Sequence, residues 1–451
     1  MQTMTVGKPA RLLVCFTLPL IVGQLVQILY GYMDMLVVGR TLGMNALAGV
    51  GSTMNTIHLV MGFCTGVANA VGILVAQRYG ANDLDGLRHF WGLGICVCLG
   101  IGGMAALIMV PMTQQILIWL RTPPEIIDDA RRYMQMILGA IPISMLCILL
   151  PCVLRAVGNS KSAVVYQLSS TVLNTATDLL FILVFKWGVT GAAVSTVLAD
   201  AFTPLLCAVL ILRKYPQLHL SQAHFRPDRR RVGEILSLGI PMGFQRSIVE
   251  IGNLFVQSVF NGLGAVAVAA VVAAQRIRAI NMMPLFCLGT AVSTYAAQNY
   301  GAGHFDRVRC GVRAACGIAV ACGVMMAALN ILIGGRLAGL LLPDAPAAVA
   351  MSYQYLVLVG GCLFLLGVML VFRNALHGMG LNQAPTLSSV AELAASVICA
   401  LILVPVYGFL GVSLANPLAW LLSGIPLFIA YARRSSGYYS KLLQEQGISG
   451  D

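Results

Sequence analysis

Charge is scarce in this chain. Only 10% of its 451 residues are Asp, Glu, Lys or Arg, whereas a soluble domain carries about 25%. Hydrophobic residues make up 59% of the chain, and the mean hydropathy is +0.86. This composition excludes a soluble globular protein and predicts one that crosses the membrane many times.

Several sequence patterns are missing as well. No alternation of apolar and polar residues marks the strands of a membrane barrel, so we expect membrane helices. None of the 13 cysteines forms a CxxC pair, and most lie in apolar runs, which indicates packing rather than a disulfide or metal framework. The chain has no HExxH or GxSxG motif and no carboxylate/His cluster at ligand spacing, so we do not expect an enzyme.

Twelve apolar segments are long enough to span a bilayer. They lie near residues 13–39, 46–76, 91–113, 133–154, 164–185, 190–212, 235–261, 266–297, 314–335, 351–373, 385–406 and 408–432. On this assignment 19 of the 28 Lys and Arg residues fall on the side of the two termini and six on the other. Because positive residues concentrate on the inner side, we predict a protein of the cytoplasmic membrane with both termini in the cytoplasm.

The two halves of the sequence repeat one another. "AQRYGANDLDGLR" at 76–88 returns as "AQNYGAGHFDRVR" at 297–309, and Pro19 aligns with Pro241. Six spans per half is an even number, so both copies enter the membrane from the same side. We therefore predict an all-α polytopic membrane protein whose two six-helix lobes surround a central cleft, the basis of alternating access. The predicted parts are lobes 1–212 and 235–432, a cytoplasmic basic linker 213–234 and a cytoplasmic tail 433–451.

The net charge of +12 raises the question of a polyanionic partner. In a membrane protein the location of the charge matters more than its sum, and the main basic stretch is the linker 213–234. We expect this stretch to lie against anionic membrane lipids and not to bind nucleic acid. Nothing in the sequence indicates an oligomer, and we expect a monomer.

Polar side chains form stripes along three helices of the N-terminal lobe. They are Gln24, Gln27, Tyr30 and Asp34 on the first helix, Asn174 and Asp178 on the fifth, and Thr196 and Asp200 on the sixth. Asp34 and Asp178 lie about 9 and 12 Å of helix before Arg40 and Lys186, and so at a similar depth. Carboxylates inside spans are usually functional, so Asp34, Asn174 and Asp178 are predicted to form a proton or Na⁺ site, with simple hydrogen bonding between packed helices as the alternative. The candidates for lining a substrate cleft in this lobe are Gln24, Gln27, Tyr30 and Asp200.

The C-terminal lobe has weaker candidates for a substrate cleft. They are Glu250, Asn253 and Gln257 on the seventh helix and Arg276 and Asn281 on the eighth. Near the midplane, Glu250 could meet a cationic substrate or simply pair with Arg246 one turn away. The roles of Glu250 and Glu392 stay open. Pro19 is either a hinge that couples cation binding to helix shape or a static kink.

Four sequence segments resemble the multidrug and toxic compound extrusion (MATE) transporters, and the likeness covers nearly the whole chain. They are "LPLIVGQLVQILYGYMDMLVVGRTLGMNALAGVG" at 18–51, the repeated "AQRYGAND" and "AQNYGAGHFDRV", and "LRAVGNSKSA" at 154–163. The resemblance implies a secondary antiporter that exports organic, often cationic or aromatic compounds in exchange for H⁺ or Na⁺, without a cofactor.

The same resemblance assigns site residues. Asp34, Asn174 and Asp178 stand where members with an N-lobe cation site carry their ligands, and Thr196 is a weaker match to a hydroxyl there. Asp34, Asn174 and Asp178 would be metal ligands only if the coupling ion is Na⁺. The tenth span, "SYQYLVLVGGCLFLLGVMLVFRN", departs from the family because it lacks the acidic residue of a C-lobe Na⁺ site. We therefore expect coupling in the N-terminal lobe and favour protons.

One alternative function shares this general architecture. A flippase of lipid-linked precursors would need a strongly basic cleft for pyrophosphate, and Arg246, Arg276 and Arg278 keep that hypothesis open.

Overall fold

The computed structural model describes the backbone of residues 3–445. Its side chains are described except at 29–30, 32–36, 38, 250, 253–254, 257–258, 260–261 and 436–445. The described chain is helical, and no strand occurs among these residues. The helices are α1 (Pro9–Leu42), α2 (Met44–Gly80), α3 (Leu84–Trp119), α4 (Pro124–Gly139), α5 (Ile141–Ala156), α6 (Ser160–Leu179), α7 (Val189–Lys214), α8 (Arg229–Asn261), α9 (Ala265–Gly301), α10 (Phe305–Leu341), α11 (Pro346–Gly361), α12 (Leu363–Gly378), α13 (Gln383–Tyr407) and α14 (Phe409–Glu445).

These helices confirm the predicted class of an all-α polytopic membrane protein. Nine helices of the described chain are long and apolar enough to cross a membrane, or up to 11 segments if each of two bent helix pairs is one span. The remaining predicted span coincides with α8, 33 residues long, some of whose side chains are outside the described set.

Two of the predicted spans are broken rather than continuous. The axis bends by 51° between α4 and α5 and by 44° between α11 and α12. Pro142 is the second residue of α5, where a missing N–H costs nothing, so a new helix starts easily there. The second break follows Gly360 and Gly361 without a proline, so no strong sequence signal marks it.

Contacts divide the chain into two compact units. Unit 1 contains Leu18–Ser247, and unit 2 contains Thr3–Thr17 and the chain from Ile248 onward. In unit 1, α2 packs against α3, α4 and α5, and α6 packs against α7. In unit 2, α9 packs against α10, α11 and α12, and α13 packs against α14. The pairing of helices within each unit therefore follows the sequence repeat.

Glycines at repeated positions mark equivalent helix starts. Gly43 before α2 has φ 86° and Gly264 before α9 has φ 91°. Gly188 before α7 has φ 61° and Gly408 before α14 has φ 55°. A residue with a β-carbon rarely adopts these angles, so glycine allows the same sharp entry into the helix in both halves.

The basic linker is built into unit 1. It forms two 3₁₀ turns, Pro216–Leu218 and Gln222–Phe225, that contact α3. The Arg88 guanidinium donates to the carbonyl of Gln217 at 3.1 Å. Its last arginines belong to α8, which begins at Arg229. The linker is therefore an ordered strap on α3.

Candidate functional site

Two polar residues predicted on one face of α6 are deeply buried. Asn174 and Asp178 are four residues apart and each is 1% exposed. The Asp178 carboxylate accepts a hydrogen bond from the hydroxyl of Ser195 on α7. The structure thus places a carboxylate and an amide side by side, with a hydroxyl from the neighbouring helix.

The Asn174 side chain is unusual because its amide is unsatisfied. Neither its oxygen nor its nitrogen has a hydrogen-bond partner among the described residues. Leaving a buried polar group unpaired costs about 1–3 kcal/mol, so such groups are rare in native proteins. An amide oxygen next to a carboxylate is a suitable ligand pair for a proton or a hard cation.

The helix changes form directly after this pair. The α-helical part of α6 ends at Leu179, and Leu180–Val184 forms a π-helical segment. π-helical turns inside α-helices occur often at functional sites. Ile182 in this segment packs in an apolar cluster of unit 1 with Ala192 and Ala193 of α7, so the site lies beside a tightly packed region.

A second carboxylate, that of Asp200, lies on the sixth predicted span. Asp200 on α7 accepts hydrogen bonds from the hydroxyl of Ser144 and the thiol of Cys147, both on α5. Thr196 lies one turn earlier on α7, is half-buried and donates to the carbonyl of Ala192 at 3.0 Å.

The first helix is described only in part. Gln24 and Gln27 on α1 are exposed, and Pro19 is half-buried inside the continuous helix. The side chains of Tyr30 and Asp34 lie outside the described residues. Their predicted meeting with Asp178 therefore stays a prediction.

The candidates of the C-terminal half do not form one described cluster. Asn281 is 9% exposed and its amide donates to Asn330 of α10 at 2.8 Å, so it ties two helices of unit 2 together. Arg276 is exposed and lines an apolar groove with residues of α9 and Leu341. The side chains of Glu250, Asn253 and Gln257 lie outside the described residues.

Glu392 has a partner that the sequence analysis did not identify. The Arg373 guanidinium on α12 donates to its carboxylate on α13 at 2.7 Å and to the Ser388 hydroxyl at 3.0 Å. Both charged side chains are nearly buried, 11% and 14% exposed. Glu392 is therefore neutralised by a fixed cation.

Sequence reasoning also missed Ser195 and Ser144. Ser195 directly precedes Thr196, and the sequence analysis selected Thr196 as the hydroxyl of this helix. Ser144 lies 56 residues before its partner Asp200, and no spacing pattern connects the two.

A third cluster forms where the strap meets α3. Ligand atoms of Asp85, His89 and His224 lie within 4.8 Å of one another. The backbone N–H of Ser221 donates to His224 Nδ1 at 2.9 Å, which leaves the proton of the neutral ring on Nε2. The Asp85 carboxylate lies 3.7 Å from His224 Nε2 and 3.2 Å from His89 Nδ1, so the cluster joins the strap to α3.

Comparison with known proteins supplies the deciding observation. The family model described as MatE matches residues 19–180 and 241–406, one stretch in each half of the chain. This chain belongs to the MatE family. Members of the family are membrane transporters, which agrees with the function class expected from the sequence.

Individual MatE proteins are similar to this chain over most of their length. "Probable multidrug resistance protein YpnP" of Bacillus subtilis is 31% identical, with 83% of this chain and 84% of that protein covered. "Multidrug export protein MepA" of Staphylococcus haemolyticus is 22% identical, with 93% of each covered. A crystal structure of "MATE in the bent conformation" has a TM-score of 0.91 at 22% identity and covers 98% of each chain, which shows a shared fold.

Proposed function

We propose that this MatE transporter exports organic, often cationic or aromatic compounds by antiport with H⁺ or Na⁺ through alternating access. The observation that carries the proposal is the buried pair of Asn174 and Asp178 on α6 inside a predicted span, where the amide of Asn174 has no partner among the described side chains. The names of the relatives YpnP and MepA, a multidrug resistance protein and a multidrug export protein, support the substrate class.

The pair provides a physical basis for coupling. An ionised carboxylate inside a span is costly, and a bound proton or Na⁺ removes that cost. Ser195 and Asn174 supply a hydroxyl and an amide oxygen that stabilise either form. We propose that Asp34 and Thr196 complete this site, and that cation binding shifts the lobes, with Pro19 as the hinge of α1. Coupling then requires that the two lobe arrangements differ in cation affinity.

The substrate cleft is proposed to include Gln24 and Gln27, which are exposed on α1. We further propose a monomer in the cytoplasmic membrane, with both termini in the cytoplasm and lipids as its surroundings. Arg276 and Asn281 were predicted to line the cleft as well. The burial of Asn281 against Asn330 favours a packing role for that residue.

The test is dye efflux from proteoliposomes under separately imposed pH and Na⁺ gradients. Asp178→Asn should slow gradient-driven efflux at least about tenfold, which corresponds to a rise of about 1.4 kcal/mol in activation free energy. Asp34→Asn should do the same. The control is Asp344→Asn, which removes an exposed carboxylate between α10 and α11 and should leave efflux unchanged.

Two results would contradict the proposal. One is wild-type protein that moves no dye under either gradient. The other is a folded Asp178→Asn variant with full gradient-driven efflux. Efflux driven by Na⁺ alone at clamped pH would reject protons as the coupling ion while leaving the antiport proposal intact.

A further inference from the structure

Asp200 is an acidic residue deep in a membrane span that the coupling site does not explain. It lies eleven residues after Val189, the first residue of α7, and therefore about 16 Å along the helix. Its carboxylate accepts hydrogen bonds from the Ser144 hydroxyl and the Cys147 thiol of α5. Neither of these partners carries a positive charge.

The polar groups that the structure describes around Asp200 on α7 and α6 are uncharged. The charged residues of α4 and α5, which also pack against α7, are not among its described partners. Thr203 of α7 is 2% exposed and bonds to Cys147, and Cys207 of the same helix is a buried thiol. From α6, the Ser170 hydroxyl donates to the carbonyl of Ala199 at 2.6 Å. The nearest acidic candidate on that helix is Asp178, which binds α7 through Ser195.

This setting differs from that of Glu392 in unit 2. Glu392 lies beside the guanidinium of Arg373, which supplies a fixed counter-charge. No Lys, Arg or His is among the described hydrogen-bond or ion-pair partners of Asp200. A carboxylate in such a place must either take up a proton or hold a cation, because an uncompensated charge inside a span is costly.

The available ligands favour a proton over a metal ion. A hard cation such as Na⁺ is best bound by several oxygen atoms. Asp200 is accompanied by one hydroxyl and one thiol, and a thiol is a soft ligand that hard cations avoid. A protonated carboxyl group needs only one or two hydrogen bonds to be satisfied.

We infer that Asp200, with Ser144 and Cys147, is a second proton-binding site of unit 1. This inference rests on the proposed function. Ser195, which binds Asp178, and Asp200 are five residues apart on α7, or about 7.5 Å along its axis. The two carboxylates thus contact the same helix at successive depths. A movement of α7 changes the surroundings of both.

Infrared spectroscopy tests the site without relying on transport. At neutral pH the wild-type protein should show the band of a protonated carboxylic acid, and Asp200→Asn should lose part of it. The matched control Asp344→Asn, which changes an exposed carboxylate, should keep the whole band. An unchanged band in Asp200→Asn overturns the inference.

Efflux measurements show whether the site takes part in coupling. Asp200→Asn should slow pH-driven dye efflux several-fold but retain substrate exchange at equal pH, and Asp200→Glu should restore part of the pH-driven rate. A folded Asp200→Asn variant that keeps the full wild-type rate of pH-driven efflux would contradict a coupling role. Failure of wild-type protein to transport instead rejects the proposed function, and the infrared result then still decides the proton site.

Discussion

At the scale of single residues, Asn174 is the feature that separates function from stability. Its amide is 1% exposed and unsatisfied among the described residues. A residue selected only for packing would be apolar, because a buried unpaired amide is destabilising. We therefore interpret Asn174 as a residue kept for its ligand and not for the fold.

Replacing Asn174 with leucine tests this interpretation. Asn174→Leu keeps the branched shape of the side chain and removes the unsatisfied amide, so the gain from the lost polar group should offset the cost of the larger methyl groups and stability should stay roughly constant. Gradient-driven efflux should nevertheless fall at least about tenfold. The apparent melting temperature in detergent and the dye efflux rate are the two measurements.

Asn330 provides the control for this substitution. Its side-chain oxygen accepts the hydrogen bond from Asn281 at 2.8 Å, so Asn330→Leu should leave Asn281 unpaired and lower stability by about 1–3 kcal/mol. If Asn174→Leu destabilised the protein as strongly as Asn330→Leu, Asn174 would be structural.

At the scale of secondary-structure elements, the strap before α8 is more closely packed than the sequence indicated. The sequence predicted a basic loop against lipid. In the structure the strap turns back onto α3, where a β-carbon at Gly92 would lie 2.6 Å from the carbonyl oxygen of His224. Only glycine leaves enough room for this contact, so α3 and the strap fit closely together.

A methyl group at Gly92 should release the strap. Gly92→Ala forces a backbone contact apart, which costs about 1–3 kcal/mol locally, so the strap should open more often. Trypsin should then cleave after the exposed Arg229, where the strap joins α8, several-fold faster than in the wild type. Gly100→Ala is the matched control on α3, because no atom lies within 4 Å of its added β-carbon. Equal cleavage rates in both variants would refute the close fit.

At the scale of the whole molecule, the two units repeat in architecture and differ in chemistry. The carboxylates of Asp178 and Asp200 in unit 1 accept hydrogen bonds from serine hydroxyls. The carboxylate of Glu392 in unit 2 forms an ion pair with Arg373. A carboxylate that is already paired with a fixed cation binds a mobile cation less strongly. The difference supports coupling in unit 1.

Removing the ion pair of unit 2 tests this division of roles. Glu392→Gln alone leaves a nearly buried guanidinium without its counter-charge and should lower stability by about 3–5 kcal/mol. The double variant with Arg373→Gln should recover most of this loss and keep gradient-driven efflux. Thermal unfolding and dye efflux measure both effects. Loss of coupling in a folded double variant would show that unit 2 takes part.

The sequence predicted the helices well because each has a strong local signal. Long apolar runs and repeated glycines such as Gly43 and Gly264 fix where helices lie and begin. The break between α11 and α12 was missed because no proline marks it. The polar residues of α6 were found from their helical spacing, whereas Ser144 and Arg373 were not assigned as partners of Asp200 and Glu392.

The sequence by itself determined that this chain is an all-helical membrane protein with a duplicated architecture and acidic residues inside its spans. These properties follow from composition and periodicity, which depend on neighbours along the chain. Only the tertiary structure decided which partner each carboxylate has. Partners such as Ser144 and Asp200 are 56 residues apart, and helix packing alone brings them together. That pairing separates Glu392, which an arginine neutralises, from the carboxylates of Asp178 and Asp200, which serine hydroxyls contact.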